Sequence, residues 1–222
     1  GTRRRDIAAK VFGSAENMND VRLPGMLHGR VLRPPSYRAT LQAFDVTAAR
    51  ALPGVVAVVQ ENNFIGIVAQ REEQAVKAVQ ALAKTTRWHE RADLPDEAAL
   101  PEFLRAQPTD DEVLSDKAVS PVSGTMHRAA YTRPYLAHAS IGPSCALAWW
   151  HDGLLEVWSH SQAIFPLRAE LAKILGREKE SIVVRHAEGA GCYGHNGADD
   201  AALDAARHNR TAARDREHVL DR

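Results

Sequence analysis

Glycine and polar residues gather in one run of this chain, Glu188-Gly189-Ala190-Gly191-Cys192-Tyr193-Gly194-His195-Asn196-Gly197. Where no Cβ stands beside an amide, backbone N–H groups come close to an anion. The run follows a predicted strand at 181–185 and precedes a predicted helix at 198–206. It is not a Walker A loop, because no Gly-Lys-Ser/Thr follows, and it lacks the usual spacing of a dinucleotide fingerprint. Read alone, the same residues also make a tight strand-to-helix connection. A protein-ligated metal competes for the stretch through His186, Cys192, His195, Asp199 and Asp200. Their spacing matches no standard zinc or calcium pattern.

A second candidate is Trp158-Ser159-His160-Ser161-Gln162. Gln162 sits between a predicted strand and a predicted helix, where a side-chain amide can donate to an oxygen ligand. The plainer reading makes it a helix-capping residue and His160 a loop histidine. A third stretch, Pro134-Tyr135-Leu136-Ala137-His138, is polar and aromatic, and Tyr131 and Tyr135 read as packing residues with a wet hydroxyl. Ser140, Ser144 and His138 are at no diagnostic triad spacing, and no Gly-x-Ser-x-Gly elbow occurs.

The elements that must position these residues follow from pattern and punctuation. Met26–Leu32 reads as a strand stopped by Arg33-Pro34-Pro35, since proline cannot donate to a ladder. Ala39–Phe44 alternates, and Asp45 is placed to cap the turn Val46–Leu52. Val55–Val59 reads as the clearest buried strand, and Ile65–Ala69 as another. From Glu72 to Ala83 the period is helical, with Ala75, Val76, Val79, Leu82 and Ala83 on one face. Thr86–Trp88 returns to a strand, giving a β–α–β–β–α–β order over 1–90. Residues 91–124, with four prolines and Asp110-Asp111-Glu112, read as a linker with one short helix at Glu97–Ala106. Met126–Tyr131 is a candidate strand. Ser144–Trp150 and Leu154–Ser159 flank an Asp152-Gly153 hairpin tip. Phe165–Leu175 is a helix with Leu167, Leu171, Ile174 and Leu175 on one face, ended by Gly176. No internal repeat is visible.

Composition bounds the function. The 222 residues carry 28 Lys+Arg against 28 Asp+Glu, a formal net charge of zero, with 45% hydrophobic and 25% charged residues. That length buries a real core, and the hydrophobic fraction excludes a disordered chain. A balanced charge gives no electrostatic case for nucleic-acid binding. No apolar run reaches the length of a membrane span, and the basic start Gly1–Asp6 lacks the apolar stretch of a secretory signal. Cys145 and Cys192 are the two cysteines, too few for a zinc ribbon or an iron–sulfur cluster; they read as free thiols.

In order along the chain stand Leu23-Pro24-Gly25-Met26-Leu27-His28-Gly29-Arg30-Val31-Leu32-Arg33-Pro34-Pro35, Pro53-Gly54-Val55-Val56-Ala57-Val58 and Ala69-Gln70-Arg71-Glu72-Glu73-Gln74-Ala75. Arg133–Ala139, Asp152–Gln162 and Glu188–Asp200 follow. This series resembles the molybdopterin-binding large subunit of the xanthine dehydrogenase/aldehyde oxidase family, and within it most resembles the isoquinoline 1-oxidoreductase β-subunit type of bacteria. The resemblance runs over about residues 3–206, and the last two motifs are the specific ones.

The resemblance implies an α+β fold. Residues 1–90 are expected to form an α/β-hammerhead domain and 91–124 a linker. Residues 125–222 are expected to be the first part of the molybdenum-cofactor-binding domain. Gln162 matches the family glutamine that hydrogen-bonds an oxygen ligand of molybdenum. Gly189, Ala190, Gly191, Cys192, Tyr193 and Gly194 match the glycine-rich segment facing the metal, with Tyr193 where many members carry Phe. The pterin dithiolene holds the metal in this family, so no protein metal ligand is expected. The implied reaction is hydroxylation of an N-heterocycle or aldehyde with oxygen from water. The implied cofactor is molybdopterin in its cytosine dinucleotide form, and the implied partner a small [2Fe–2S] subunit. The family's glutamate base lies near the C-terminal end of a longer subunit, so no catalytic residue is expected in this chain, which reads as a fragment inactive alone. After Ala206 the sequence is charged and unlike a continuing core, and Asn17 stands where an aromatic is expected. Family members occur in the cytoplasm or, with a leader, in the periplasm; no leader is seen here. Two other classes compete: a non-catalytic module docking on an electron-transfer subunit, and a small-anion-binding protein using the 188–197 loop.

Overall fold

The computed structural model describes residues 2–117, 123–140, 142–189, 191–194, 201–212 and 218–221. The chain divides into two compact units, residues 1–91 with 138–222, and residues 92–137. In the first, a short helix α1 (Ile7–Val11) and a 3-10 turn (Met18–Asp20) precede strand β1 (Leu27–Leu32). Then come β2 (Thr40–Ala43), α2 (Thr47–Arg50), β3 (Val55–Glu61), β4 (Phe64–Ala69), α3 (Glu72–Thr85) and β5 (Arg87–His89). The N-cap of α2 is Val46 and takes no side-chain hydrogen bond; Asp45, expected as the cap, stands one residue earlier, its Oδ1 accepting from the Thr47 N–H at 2.8 Å.

The second unit holds a 3-10 turn (Glu97–Ala99) and α4 (Leu100–Arg105). Asp96 starts the turn by accepting from the Ala98 N–H at 3.0 Å. A shallow cavity of about 230 Å³ lies between α4 and residues 131–133. The strand expected at Met126–Tyr131 does not form; these residues join no ladder. Tyr131 and Tyr135 are 92% and 75% exposed, so they do not pack as their sequence context suggested.

The chain then returns to the first unit with β6 (Ala146–His151), β7 (Leu154–Ser159), α5 (Ile164–Leu175), β8 (Ile182–His186), α6 (Ala201–Ala212) and β9 (His218–Asp221). The β6–β7 hairpin turns at Asp152 (φ 48°) and Gly153 (φ 80°), the left-handed pair that a two-residue connection requires. Helix α5 stops at Gly176 in the left-handed conformation, with the Arg177 N–H donating back to the Ala172 carbonyl at 2.9 Å. Strand β8 lies parallel to β7, and α5 is the crossover this pairing needs.

Among the described residues one seven-stranded sheet results, in the order β3-β4-β1-β9-β6-β7-β8, with β2 and β5 forming a separate pair. Val55–Val59 is not the buried strand its composition suggests. β3 lies at the sheet edge, and only Val59 of those five is buried. Strand β4, flanked by β3 and β1, is buried at every position. Its side chains alternate: Ile65, Ile67 and Ala69 pack with Ala75, Ala78 and Leu82 of α3, and Phe64 and Val68 face the other way. On α3, Ala78 is buried where Ala83 was expected, and on α5, Ala172 is buried while Ile174 is 48% exposed. Removing Leu82, fully buried in this cluster, would cost about 2–5 kcal/mol.

The charged stretch after Ala206 corrects the expectation that the core ends there. Helix α6 continues to Ala212, with His208 and Asn209 fully buried. Ala202, Ala205 and Ala206 pack with β6, β7, β8 and α5. One turn on, the Arg207 guanidinium lies 5.1 Å over the Phe64 ring and the His208 ring 5.4 Å from it. Asn209 Oδ1 accepts from the Trp150 N–H at 3.1 Å. Arg210 pairs with Glu61, and Arg33 with the buried carboxylate of Asp204. The charges on α6 are therefore partnered across the sheet. Strand β9 runs parallel to β1 and antiparallel to β6, joining the two halves of the sheet.

Candidate functional site

Strand β7 delivers Ser159, His160 and Ser161 into buried positions and then exposes Gln162. Two serine hydroxyls pin this segment. Ser159 Oγ accepts from the Ser161 N–H at 3.2 Å, and Ser161 Oγ from the Ala163 N–H at 3.1 Å. The N-cap of α5 is Ala163 and takes no side-chain hydrogen bond. The capping role considered for Gln162 is thus unfilled, and its amide stands at the surface.

His160 is no ordinary loop histidine. It is 7% exposed, and its Nε2 accepts from the Cys145 N–H at 3.3 Å. Its ring lies against Gly189: a Cβ built there would stand 2.4 Å from His160 Cβ and 2.5 Å from Cγ. The Ala187 N–H donates to the Ser159 carbonyl at 3.0 Å, tying the start of the glycine-rich run to the end of β7. The structure thus sets the 187–189 segment beside the segment that carries Gln162.

Within the run, Gly191 (φ 94°), Tyr193 (φ 53°) and Gly194 (φ 98°) have left-handed backbone. The Tyr193 ring folds back over Gly191, where a Cβ would meet its Cε2 at 3.1 Å, yet the side chain stays 62% exposed. The Gly194 N–H donates to Cys192 Sγ at 3.2 Å, and Cys192 is a half-buried free thiol. Ser140 Oγ donates to the Cys192 carbonyl at 3.4 Å, and His138 lies under Gly194, 3.2 Å from a built Cβ. Between them Ala139 takes φ 54°, a turn that lets both neighbours reach the loop. The candidate residue Ala190 lies outside the described residues, as do His195, Asp199 and Asp200 of the alternative metal set.

Sequence reasoning missed an N-terminal strap. The Met18 N–H donates to the Glu188 carbonyl at 2.6 Å, and Met18 is fully buried with Cys145 and Leu147. Lys10 Nζ bridges Asp6 at 2.8 Å and Glu188 at 3.2 Å, and Arg4 reaches Asp6 at 2.5 Å. Hydrogen bonds from Arg4 first and Lys10 second hold the Asp6 carboxyl well below the usual carboxylate range. Asp6 first, then Glu188, raises the Lys10 ammonium. No pattern along the chain links positions 10 and 188; folding alone joins them.

Among the described residues no three His, Cys, Asp or Glu side chains gather as metal ligands. No helix there is long and apolar enough to cross a membrane. Residues 111–208 match the molybdopterin cofactor-binding domain family. A nicotinate dehydrogenase subunit of Pseudomonas putida is 39% identical over an alignment covering 98% of this chain and 20% of that protein. The aldehyde oxidoreductase molybdenum-binding subunit PaoC of Escherichia coli is 27% identical, with 72% of this chain and 25% of that protein covered. The chain therefore spans a fifth to a quarter of the length of these relatives. Among solved structures, quinoline 2-oxidoreductase from Pseudomonas putida superposes with a TM-score of 0.75 at 19% identity, covering 99% of this chain and 34% of that one. The aldehyde oxidoreductase of Desulfovibrio gigas gives 0.67 at 17%, covering 99% and 29%. These two likenesses establish the shared mixed helix-and-sheet fold.

Proposed function

We propose that this chain, which belongs to the molybdopterin-binding large subunits of the xanthine dehydrogenase/aldehyde oxidase family, forms part of the wall around the cofactor of a molybdenum hydroxylase. The observation that carries this reading is the seat of Gly189 on His160, which sets the glycine-rich loop beside the Gln162 segment. The donors offered here are backbone N–H groups and one exposed amide. Such a set fits a metal held by the sulfur atoms of its own pterin, because it supplies hydrogen bonds and no metal ligand.

In this proposal Gln162 presents an amide N–H to the cofactor, and the main chain of Gly189, Ala190, Gly191, Cys192, Tyr193 and Gly194 lines it, the Gly194 N–H being held by Cys192 Sγ. The left-handed turns at Gly191 and Gly194 re-aim successive amides, and the Tyr193 ring covers the Gly191 backbone. When bound, the cofactor supplies the hydroxylation of an N-heterocycle or aldehyde, with water as oxygen source and a [2Fe–2S] subunit as electron acceptor. We assign it the cytosine dinucleotide form. Residues 1–90 form the hammerhead domain, 91–124 connect, and the cofactor-binding domain begins at about 125.

Metal and nucleotide analysis of the purified full-length subunit tests the reading. Molybdenum should co-purify with one equivalent of cytidine monophosphate released by acid. Gln162→Ala should retain the metal but lose turnover by about a hundredfold, the scale for removing one aimed donor. A full-length subunit with neither molybdenum nor nucleotide overturns the assignment.

A further inference from the structure

We infer that His160 is a positioning residue, a rigid spacer whose side chain fixes how far the glycine-rich loop stands from the Gln162 segment. The inference rests on the proposed function for its purpose, but its geometry is independent of any cofactor. His160 is held at both ends. Its backbone leaves β7 between two buried serines, and its Nε2 is anchored by the Cys145 N–H at 3.3 Å. That bond assigns the ring proton to Nδ1 and fixes the ring plane.

The loop rests directly on this ring. A Cβ at Gly189 would stand 2.4 Å from Cβ, 2.5 Å from Cγ and 2.9 Å from Nδ1 of His160. All three distances are shorter than any tolerated carbon contact, so not even a methyl group fits. The backbone of Gly189 is not left-handed, unlike that of Gly191 and Gly194. Glycine is needed at 189 for space, and at 191 and 194 for conformation. Two further bonds keep the loop from lifting off: Ala187 N–H to Ser159 O at 3.0 Å and Met18 N–H to Glu188 O at 2.6 Å. With the loop pressed down from both sides, the Cβ and the adjoining ring edge of His160 set the spacing.

A methyl at 189 and the His160 side chain from Cβ outward therefore compete for one volume, and only removal of that whole side chain can compensate. The test is hydrogen–deuterium exchange on the full-length subunit, comparing amides 187–194 with those of α3 as an internal control. Gly189→Ala should speed exchange in the loop by about tenfold or more, a local opening that leaves α3 unchanged. His160→Ala should do the same by removing the support. The compensating double variant pairs Gly189→Ala with His160→Gly, because an alanine at 160 would keep the Cβ that stands 2.4 Å from the new methyl; it should be no worse than His160→Gly alone. His160→Gln, whose Oε1 can still accept from Cys145, should restore most of the protection. Should Gly189→Ala fail to fold, recovery of α3 protection in the double variant is the same compensation and supports the inference. Additive effects, or full protection in His160→Ala, overturn it. Molybdenum content, measured on the same unmodified subunit, separates the two claims. Compensation without molybdenum refutes only the cofactor reading, and molybdenum without compensation refutes only the spacer.

Discussion

At two glycines among the described residues a Cβ would come within 3 Å of a histidine, and the two teach different things. At Gly66 in β4 a Cβ would stand 2.0 Å from His208 Nε2, and His208 is fully buried on α6. At Gly189 the obstacle is His160 at the end of β7. The first contact lies on β4, one strand in from the sheet edge but buried at every position, so neighbours on both faces must shift with it. It determines how closely α6 approaches β4, and with it the docking of the sheet's two halves. The second lies under a loop, where displacement is local. The same device, ring against bare Cα, serves the core in one place and the candidate site in the other. The difference arises from how many neighbours must shift together.

The comparison breaks most readily at the core. Gly66→Ala should destabilise the whole fold by about 3 kcal/mol, at the upper end of ordinary overpacking, read as a lowered urea midpoint at unchanged slope. His208→Ala should relieve part of that loss in the double variant; an additive result would show that the ring is not the obstacle. Gly189→Ala should cost less globally, about 1 kcal/mol, while its effect on the loop is concentrated in the exchange rates. If its melting loss equals that of Gly66→Ala, the distinction between core lock and loop spacer fails.

Smaller effects sharpen the same picture on the loop side. Ala139 holds φ 54° so that His138 and Ser140 both meet the loop. Ala139→Gly should therefore stabilise by up to about 1 kcal/mol, a gain visible in thermal unfolding. The least effect concerns the strap. Arg4 and then Lys10 depress the Asp6 carboxyl below the ordinary carboxylate range. A depressed group contributes stability above its unfolded pKa, about 4, and loses that contribution only as pH falls through the lower folded value. The Asp6–Lys10–Glu188 tether should accordingly survive a fall through pH 4 on the Asp6 side. A carboxyl titration followed by NMR checks this, and a midpoint near 4 for Asp6 would contradict it. The group is exposed, so high salt should weaken the tether.

The hairpin at Asp152-Gly153, the helix stop at Gly176 and the period of α3 were legible along the chain, because each depends on residues a few positions apart. The motif set around Gln162 and Gly189–Gly194 was legible too, as residue types in order. The edge position of β3 was not, since a run of valines says that a strand is apolar and not how many neighbours it has. Nor was the continuation of α6 past Ala206. Its polar residues look solvated in isolation, and Glu61, Phe64 and Trp150, brought from far along the chain, partner Arg210, Arg207 and Asn209.

By itself, then, the sequence determined the local turns, the helical faces and which residues are chemically suited to bind. Tertiary structure alone decided that His160 supports Gly189, that Met18 and Lys10 hold Glu188, and that α6 and β9 close one sheet from two halves. The physical reason is range. Backbone preference and periodicity act over one or two turns of chain. Steric exclusion between a ring and a Cα, like the partnering of a buried charge, acts between groups whose meeting only the folded chain arranges.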